Sequence, residues 1–299
     1  MGGAEARAPL AHLRGRDLIA ILGSGAVGAL LGAQLTRAGV ATALVTTEAS
    51  AEAIARDGIA VGSPAFGDHV ERVRAVPALE APPGALVVAV KAPHLARALD
   101  RIAGEPDVVV PLLNGVDHMA LLRERFANVV AATVRVQAHR EGRTSVVHRA
   151  PFLTVTVAAP GAPALTDALA LAHVEVVEGG AEADVLWAKL SRLAGIALAT
   201  TAADAPLGDV RDDAEAVARE VAAVARAEGA RVDADAVLAE LRALPDAATS
   251  SLRADVMRTE PSPGDHELDA IGGAVLRAAA RHGLPAPRTR ALVDRIGSL

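Results

Sequence analysis

Six consecutive residues restrict what this chain can fold into more than any others. Gly23-Ser24-Gly25-Ala26-Val27-Gly28 fits the pattern G-x-G-x-x-G, follows directly on the apolar run Leu18 to Leu22, and opens a helical stretch that ends near Gly39. An unbroken apolar run is what a parallel strand buried on both faces requires. Gly23 permits the tight turn after it, Gly25 lets a pyrophosphate approach the backbone, and Gly28 lets helix and strand pack closely. The first helical turn, beginning at Ala26 and Val27, offers unpaired N–H groups to phosphate oxygens. Ala41 to Val45 reads as the returning strand, so Leu18 to Thr47 forms a complete β-α-β unit with a dinucleotide site at its turn.

The same alternation continues downstream. Ala49 to Arg56 reads as a short helix and Ile59 to Val61 as a strand. Pro82-Pro83-Gly84 then breaks the chain before the buried-strand run Ala85 to Val90. Lys91 stands at the carboxyl end of that run, the edge where an open parallel sheet binds its ligand. His94 to Ile102 is helical in pattern. Asp107 to Leu113 brings the chain back to the crevice, and the turn Asn114-Gly115 places an amide there. Val129 to Val136 and Ser145 to His148 are expected to flank the turn Glu141-Gly142-Arg143, with Phe152 to Ala158 as a further strand, all as antiparallel additions. After Gly179-Gly180 the β-type runs stop, and alanine-rich helical patterns span 181–203, 212–228, 234–243 and 266–282.

The expected fold is therefore α/β, an N-terminal Rossmann-type doubly wound sheet with an all-α C-terminal domain. Residues 1–17 form a flexible extension, 18–179 the dinucleotide-binding domain and 180–299 a helical domain for substrate placement and subunit association. A net charge of -6 and 1% aromatic residues, with no basic patch, argue against a nucleic-acid surface. The absence of cysteine excludes disulfides, thiolate catalysis and cysteine-ligated metals. No run of ~18 uncharged apolar residues reads as a membrane span, and Met1 to Asp17 lacks the apolar centre of a secretory signal, so a cytoplasmic protein is expected. His139 and His148 have no third ligand at convincing spacing, so they read as surface or loop histidines and no metal site is expected.

Further along the chain the motifs come in a recognisable order. GSGAVG is followed by VAVKAPH with Lys91, PLLNGV with Asn114, WAKL with Lys189, SSLRADV with Ser251, HELDAIGG with Glu267, and finally HGLPAPRTR. From Leu18 to about Arg290 the chain resembles the ketopantoate reductase family, relatives of the 6-phosphogluconate dehydrogenase group. The resemblance implies a homodimeric reductase that passes hydride from NADPH to the keto carbon of a 2-oxo acid, with Lys189 as the general acid. It implies that Lys91, Asn114, Ala138 and Glu267 hold the cofactor together with Gly23 to Gly28, and that Asn114 and Ser251 also contact the substrate. A lysine suits this chemistry, because a positioned ammonium stabilises the growing oxyanion and delivers its proton.

Departures from the family pattern bear on the substrate. Leu193 and Ala197 stand four and eight residues after Lys189, where the family carries asparagines, and Leu207 and Gly272 replace two further amides. The stripe Lys189, Leu193, Ala197 thus predicts a more apolar pocket, with Arg192 or Arg135 nominated for a substrate carboxylate. No basic residue follows the second strand, so recognition of a 2′-phosphate is expected to fall to Thr46, Thr47 and backbone amides. Three readings stay open beside ketopantoate reduction. They are a related reductase of another keto or imine substrate, the reverse reaction on a hydroxy acid, and a dinucleotide-binding protein that has lost catalysis.

Overall fold

The computed structural model describes residues 17–257 and 266–299, so nearly all of the expected N-terminal extension lies outside the described residues. Strands β1 (Ile19–Leu22) and β2 (Thr42–Val45) are buried throughout, and helix α1 (Ala26–Arg37) connects them. The connection works because of a close approach: a Cβ on Gly28 would collide with the carbonyl oxygen of Gly23, so only glycine lets α1 start so near the strand. Helix α2 (Glu48–Asp57) leads to β3 (Ile59–Gly62), β4 (His69–Glu71) and β5 (Arg74–Val76). After β6 (Ala85–Val88) come a short 3₁₀ turn at Ala92–His94, helix α3 (Leu95–Leu99) and β7 (Val108–Pro111). Five strands pair in the order β5-β2-β1-β6-β7, all parallel, as the buried apolar runs require.

Helix α4 (His118–Arg125) precedes β8 (Ala132–Arg135), β9 (Ala138–Arg140), β10 (Ser145–His148) and β11 (Thr154–Val157). Helix α5 (Pro163–Leu171) and β12 (Glu175–Glu178) complete the sheet-bearing part. These strands form two further sheets, β4-β3-β10-β9 and β12-β11-β8. The expected partner of Ser145 to His148 is corrected here. The hairpin around Gly142 is made by β9, while β8 pairs antiparallel with β11. Nor are the additions all antiparallel, since β10 runs parallel to β3 and β12 parallel to β11. The parallel β3–β10 contact brings the hairpin back over α1, against which β9 packs.

Alternation along β1 divides the sheet's packing. Ile19 and Ile21 join a core with Leu30, Leu31 and Leu35 of α1, whereas Ala20 and Leu22 join one with Leu95, Leu122 and Phe126. Val185 and Leu186 from the start of helix α6 (Glu182–Ala203) enter this second core. The rest of α6 belongs to a third core with α7 (Arg211–Ala227), α8 (Ala234–Ala243), α9 (Ser251–Val256), α10 (Ala274–Arg281) and α11 (Pro287–Gly297). At 22 residues α6 spans about 33 Å and links the two halves of the molecule. Arg123 of α4 grips its first turn through a forked pair with Glu182, at 2.9 and 2.5 Å. Among the described residues no helix is long and apolar enough to cross a membrane.

Candidate active site

The carboxyl ends of β1, β6 and β7 face the helical half, and the predicted residues collect along that edge. Gly25 caps α1 with no side chain over the helix end, and a Cβ there would meet only the Ala89 carbonyl oxygen, at 3.9 Å. The first-turn N–H groups of α1, from Ala26 to Gly28, therefore have no side chain capping them. Lys91 follows β6 and reaches across to α9, where its Nζ donates to Asp255 Oδ2 at 2.6 Å. Asn114, after β7, donates from Nδ2 to Glu267 Oε2 at 2.9 Å. The backbone here touches the helical half directly, since a Cβ on Gly115 would strike the carbonyl oxygen of Ala270. An Arg277–Asp117 pair at 2.7 Å strengthens the same junction.

Lys189 sits in the first half of α6 between the buried Trp187 and Leu190, and its own side chain is half-buried. Crowding by the surrounding protein pushes its ammonium down to about 8, while the Glu267 carboxylate pulls the other way. Asn114, Glu267 and Lys189 thus converge, the first by a hydrogen bond and the third by charge. Leu193 is half-buried against the helical core and Ala197 is sealed within it, so Leu193 carries the apolar stripe outward. Leu207 is likewise fully buried. Ser251 is exposed at the start of α9, one turn before Asp255 and so on the face that meets Lys91.

The expectation for phosphate recognition is corrected. The Thr46 hydroxyl is buried and shares a 2.6 Å hydrogen bond with Ser24, and the Thr47 hydroxyl accepts from the Ser50 N–H at the start of α2. Arginines are present after all, delivered by distant segments. Arg140 donates to the Ser24 carbonyl oxygen and, at 3.2 Å, to its hydroxyl. Arg143 reaches Ser50 Oγ at 3.5 Å, and Arg101 donates to the Thr46 carbonyl oxygen at 3.1 Å. Burial and the neighbouring Arg143 hold Arg140 below the usual guanidinium range. Ala138 lies two residues before Arg140, on the same face of β9.

Other expectations are corrected as well. Arg135 stacks over Phe152 at 4.2 Å and Arg192 donates to Glu240 at 2.6 Å, so both cations nominated for a substrate carboxylate are engaged elsewhere. His148 is a core residue whose two ring nitrogens meet Ser63 Oγ and the Phe152 carbonyl oxygen, and exposed His139 meets Glu141. A groove of about 570 Å³ lined by Gln34, Phe66, Phe152 and His173 lies at the far end of α1 and belongs to none of this.

Residues 19–160 match the family profile of ketopantoate reductase PanE/ApbA, and residues 183–299 match that of its C-terminal part. The chain belongs to the ketopantoate reductase family. Among solved structures, a PanE/ApbA family ketopantoate reductase from Ralstonia eutropha JMP134 is 26% identical, with a TM-score of 0.80 over 93% of this chain and 97% of that one. A D-mandelate dehydrogenase with NADH and anilino(oxo)acetate is 19% identical, with a TM-score of 0.83 over 94% and 97%. A dimeric ketopantoate reductase from Staphylococcus aureus is 20% identical, with a TM-score of 0.76 over 94% and 98%. The last two likenesses concern the fold alone. No curated protein matches the chain.

Proposed function

We propose that the protein is an NADPH-dependent reductase of a 2-oxo acid with an apolar side chain, in which Lys189 is the general acid. The observation that carries this reading is the setting of Lys189, a half-buried ammonium lowered to about 8 beside a carboxylate that Asn114 holds. When bound, the reduced nicotinamide supplies the hydride. The ammonium of Lys189 donates to the keto oxygen and passes a proton to it as negative charge grows there, and solvent then restores the lysine. An acid of this strength is mostly protonated at neutral pH yet gives up its proton readily.

Gly23 to Gly28 receive the pyrophosphate at the start of α1, and Lys91 lines the cofactor edge. Arg140 and Arg143 take the 2′-phosphate and favour NADPH over NADH. Leu193 faces the substrate's side chain, and Ser251 contacts the substrate from α9. Residues 18–179 bind the cofactor, 180–299 complete the substrate site, and the working unit is a homodimer, which sedimentation of the purified protein tests. The deciding experiment follows NADPH absorbance with added 2-oxo acids that differ in side chain. Turnover of alkyl or aryl 2-oxo acids supports the proposal, and no turnover of any of them sinks it.

A further inference from the structure

The groove of about 570 Å³ at the far end of α1 is built by four separate segments, and the chemistry above uses none of it. Gln34 and Arg37 come from the end of α1, Phe66 from the loop between β3 and β4, Phe152 from the stretch before β11, and His173 and Glu175 from the turn into β12. The chain has only three phenylalanines, one tryptophan and no tyrosine, yet two of the three phenylalanines line this groove. Both rings are half-buried and held from one side. Phe66 stacks on His148 with centroids 5.5 Å apart, and the Arg135 guanidinium lies over Phe152 at 4.2 Å. The amide of Gln34, a residue only 4% exposed, is fixed as well: its Nε2 donates to Nε2 of His69 at 3.1 Å, and His69 Nδ1 donates to the Gly67 carbonyl oxygen at 2.9 Å. A cleft of this size with fixed aromatic walls and a few polar groups has the make-up of a small-molecule site.

Its charges say which molecule. Arg37 donates from Nη1 to the Phe66 carbonyl oxygen at 3.0 Å, and Glu175 accepts at Oε2 from the Thr154 hydroxyl at 2.5 Å. Both partners are neutral, and among the described residues neither Arg37 nor Glu175 joins a salt bridge. One groove thus carries a guanidinium and a carboxylate that keep apart from each other, each with bonding capacity left over. An anion alone would meet the repulsion of Glu175 and a cation alone that of Arg37, whereas a ligand with both charges satisfies both. The phenyl rings call for an apolar body between them.

We propose that this groove is a second small-molecule site, which binds a free α-amino acid with an apolar side chain. Its carboxylate meets Arg37, its ammonium meets Glu175, and its side chain lies against Phe66 and Phe152. The site is independent of the reductase reading. It lies at the last turn of α1, whereas the glycine loop lies at the first, and the 12 residues of that helix span about 18 Å. Groove and cofactor crevice can therefore be filled together.

The test is calorimetric titration of the full chain with L-phenylalanine, with and without saturating NADPH. Saturable binding that NADPH does not abolish is expected. Arg37→Gln and Glu175→Gln, both at exposed positions, should each raise the phenylalanine Kd by about tenfold or more, the effect of losing one charge-assisted bond. Unchanged Tm and NADPH affinity in the two variants show that the fold is intact. 3-Phenylpropanoate, which lacks the ammonium, phenethylamine, which lacks the carboxylate, and glycine, which lacks the side chain, should bind at least tenfold more weakly than phenylalanine. No saturable binding of phenylalanine, binding that NADPH abolishes, an unchanged Kd in either variant, or equal affinity for any of the three analogues overturns the proposal, and each leaves the reductase assignment standing.

Discussion

The side-chain amide of Asn114 donates to a carboxylate oxygen of Glu267 at 2.9 Å, joining the loop after β7 to the segment that leads into α10. Glu267 in turn raises the pKa of Lys189 against the effect of burial. Glu267→Gln keeps an oxygen for Asn114 but removes the charge, so the ammonium of Lys189 falls below its value of about 8. For wild type, kcat/KM in the direction of keto-acid reduction decreases as pH rises through about 8, because the acid form is lost. In Glu267→Gln that limb moves to lower pH by about one unit. An unmoved limb would separate Glu267 from the proton transfer.

Lys189→Ala removes the proton donor and the oxyanion partner together. Turnover is expected to drop by about 10²–10⁴-fold, the usual contribution of a positioned acid, while the NADPH Kd changes little. Single-turnover kinetics with a preformed NADPH complex measure this. Near-normal turnover would remove Lys189 from the mechanism.

Arg140→Ala separates the two cofactors. Arg140 stands over Ser24, and its charge is held beside that of Arg143, an arrangement that a phosphate dianion would relieve. The NADPH Kd should rise by about ten- to a hundredfold and the NADH Kd by much less. Fluorescence titration of both reduced cofactors gives the ratio. Equal losses for the two would mean that Arg140 only braces the glycine loop.

The parts of the fold that sequence reveals are those whose cause is local. The run Leu18–Leu22, the three glycines and the apolar face of α1 lie within one β-α-β unit, and the structure forms that unit over the same residues. Helix α8 also needs only local signals, a capping Asp233 and an alanine-rich stretch that stops before Pro245. Arg140 and Arg143 are different. They are more than 90 residues from the loop they serve, and they arrive because β10 adds in parallel to β3 and carries its hairpin with it. No spacing rule along the chain encodes such a pairing. The pKa of His118, lowered by burial and by the charge of Lys189, is hidden for a related reason: α4 has no strong apolar face, and Lys189, whose charge acts on this first residue, lies on α6, 71 positions later.

His118 also makes the protein sensitive to acid. Its folded-state pKa of about 4 lies below the ordinary 6.5, so between those values the unfolded chain binds more protons than the folded one. Stability falls as pH drops from 6.5 to 4, by about 3 kcal/mol in total if this group acts alone. His118→Phe removes that linkage. Its Tm should exceed that of wild type by more at pH 4.5 than at pH 7.5, as calorimetry at the two pH values would register. The same Tm difference at both would show that the imidazole titrates normally.

Under the proposed function, Leu193 is expected to set which 2-oxo acids are preferred. It lies one helical turn beyond Lys189 on α6, half-buried and packed on the helical core, with Ala197 sealed behind it. A hydroxyl pressed against this leucine loses its hydration and gains no partner, which costs about 1–3 kcal/mol, whereas an alkyl or aryl group gains by burial. Wild type is therefore expected to favour apolar 2-oxo acids over ketopantoate. Leu193→Asn supplies an amide at the same position on α6 and withdraws apolar surface. The ratio of kcat/KM for ketopantoate to that for phenylpyruvate should rise by about tenfold or more, the change that one gained hydrogen bond produces. Thermal unfolding with and without NADPH confirms that the variant is folded when the ratio is read. If wild type already prefers ketopantoate, other side chains replace the missing amides, and the face of α6 at Leu193 is not the specificity wall.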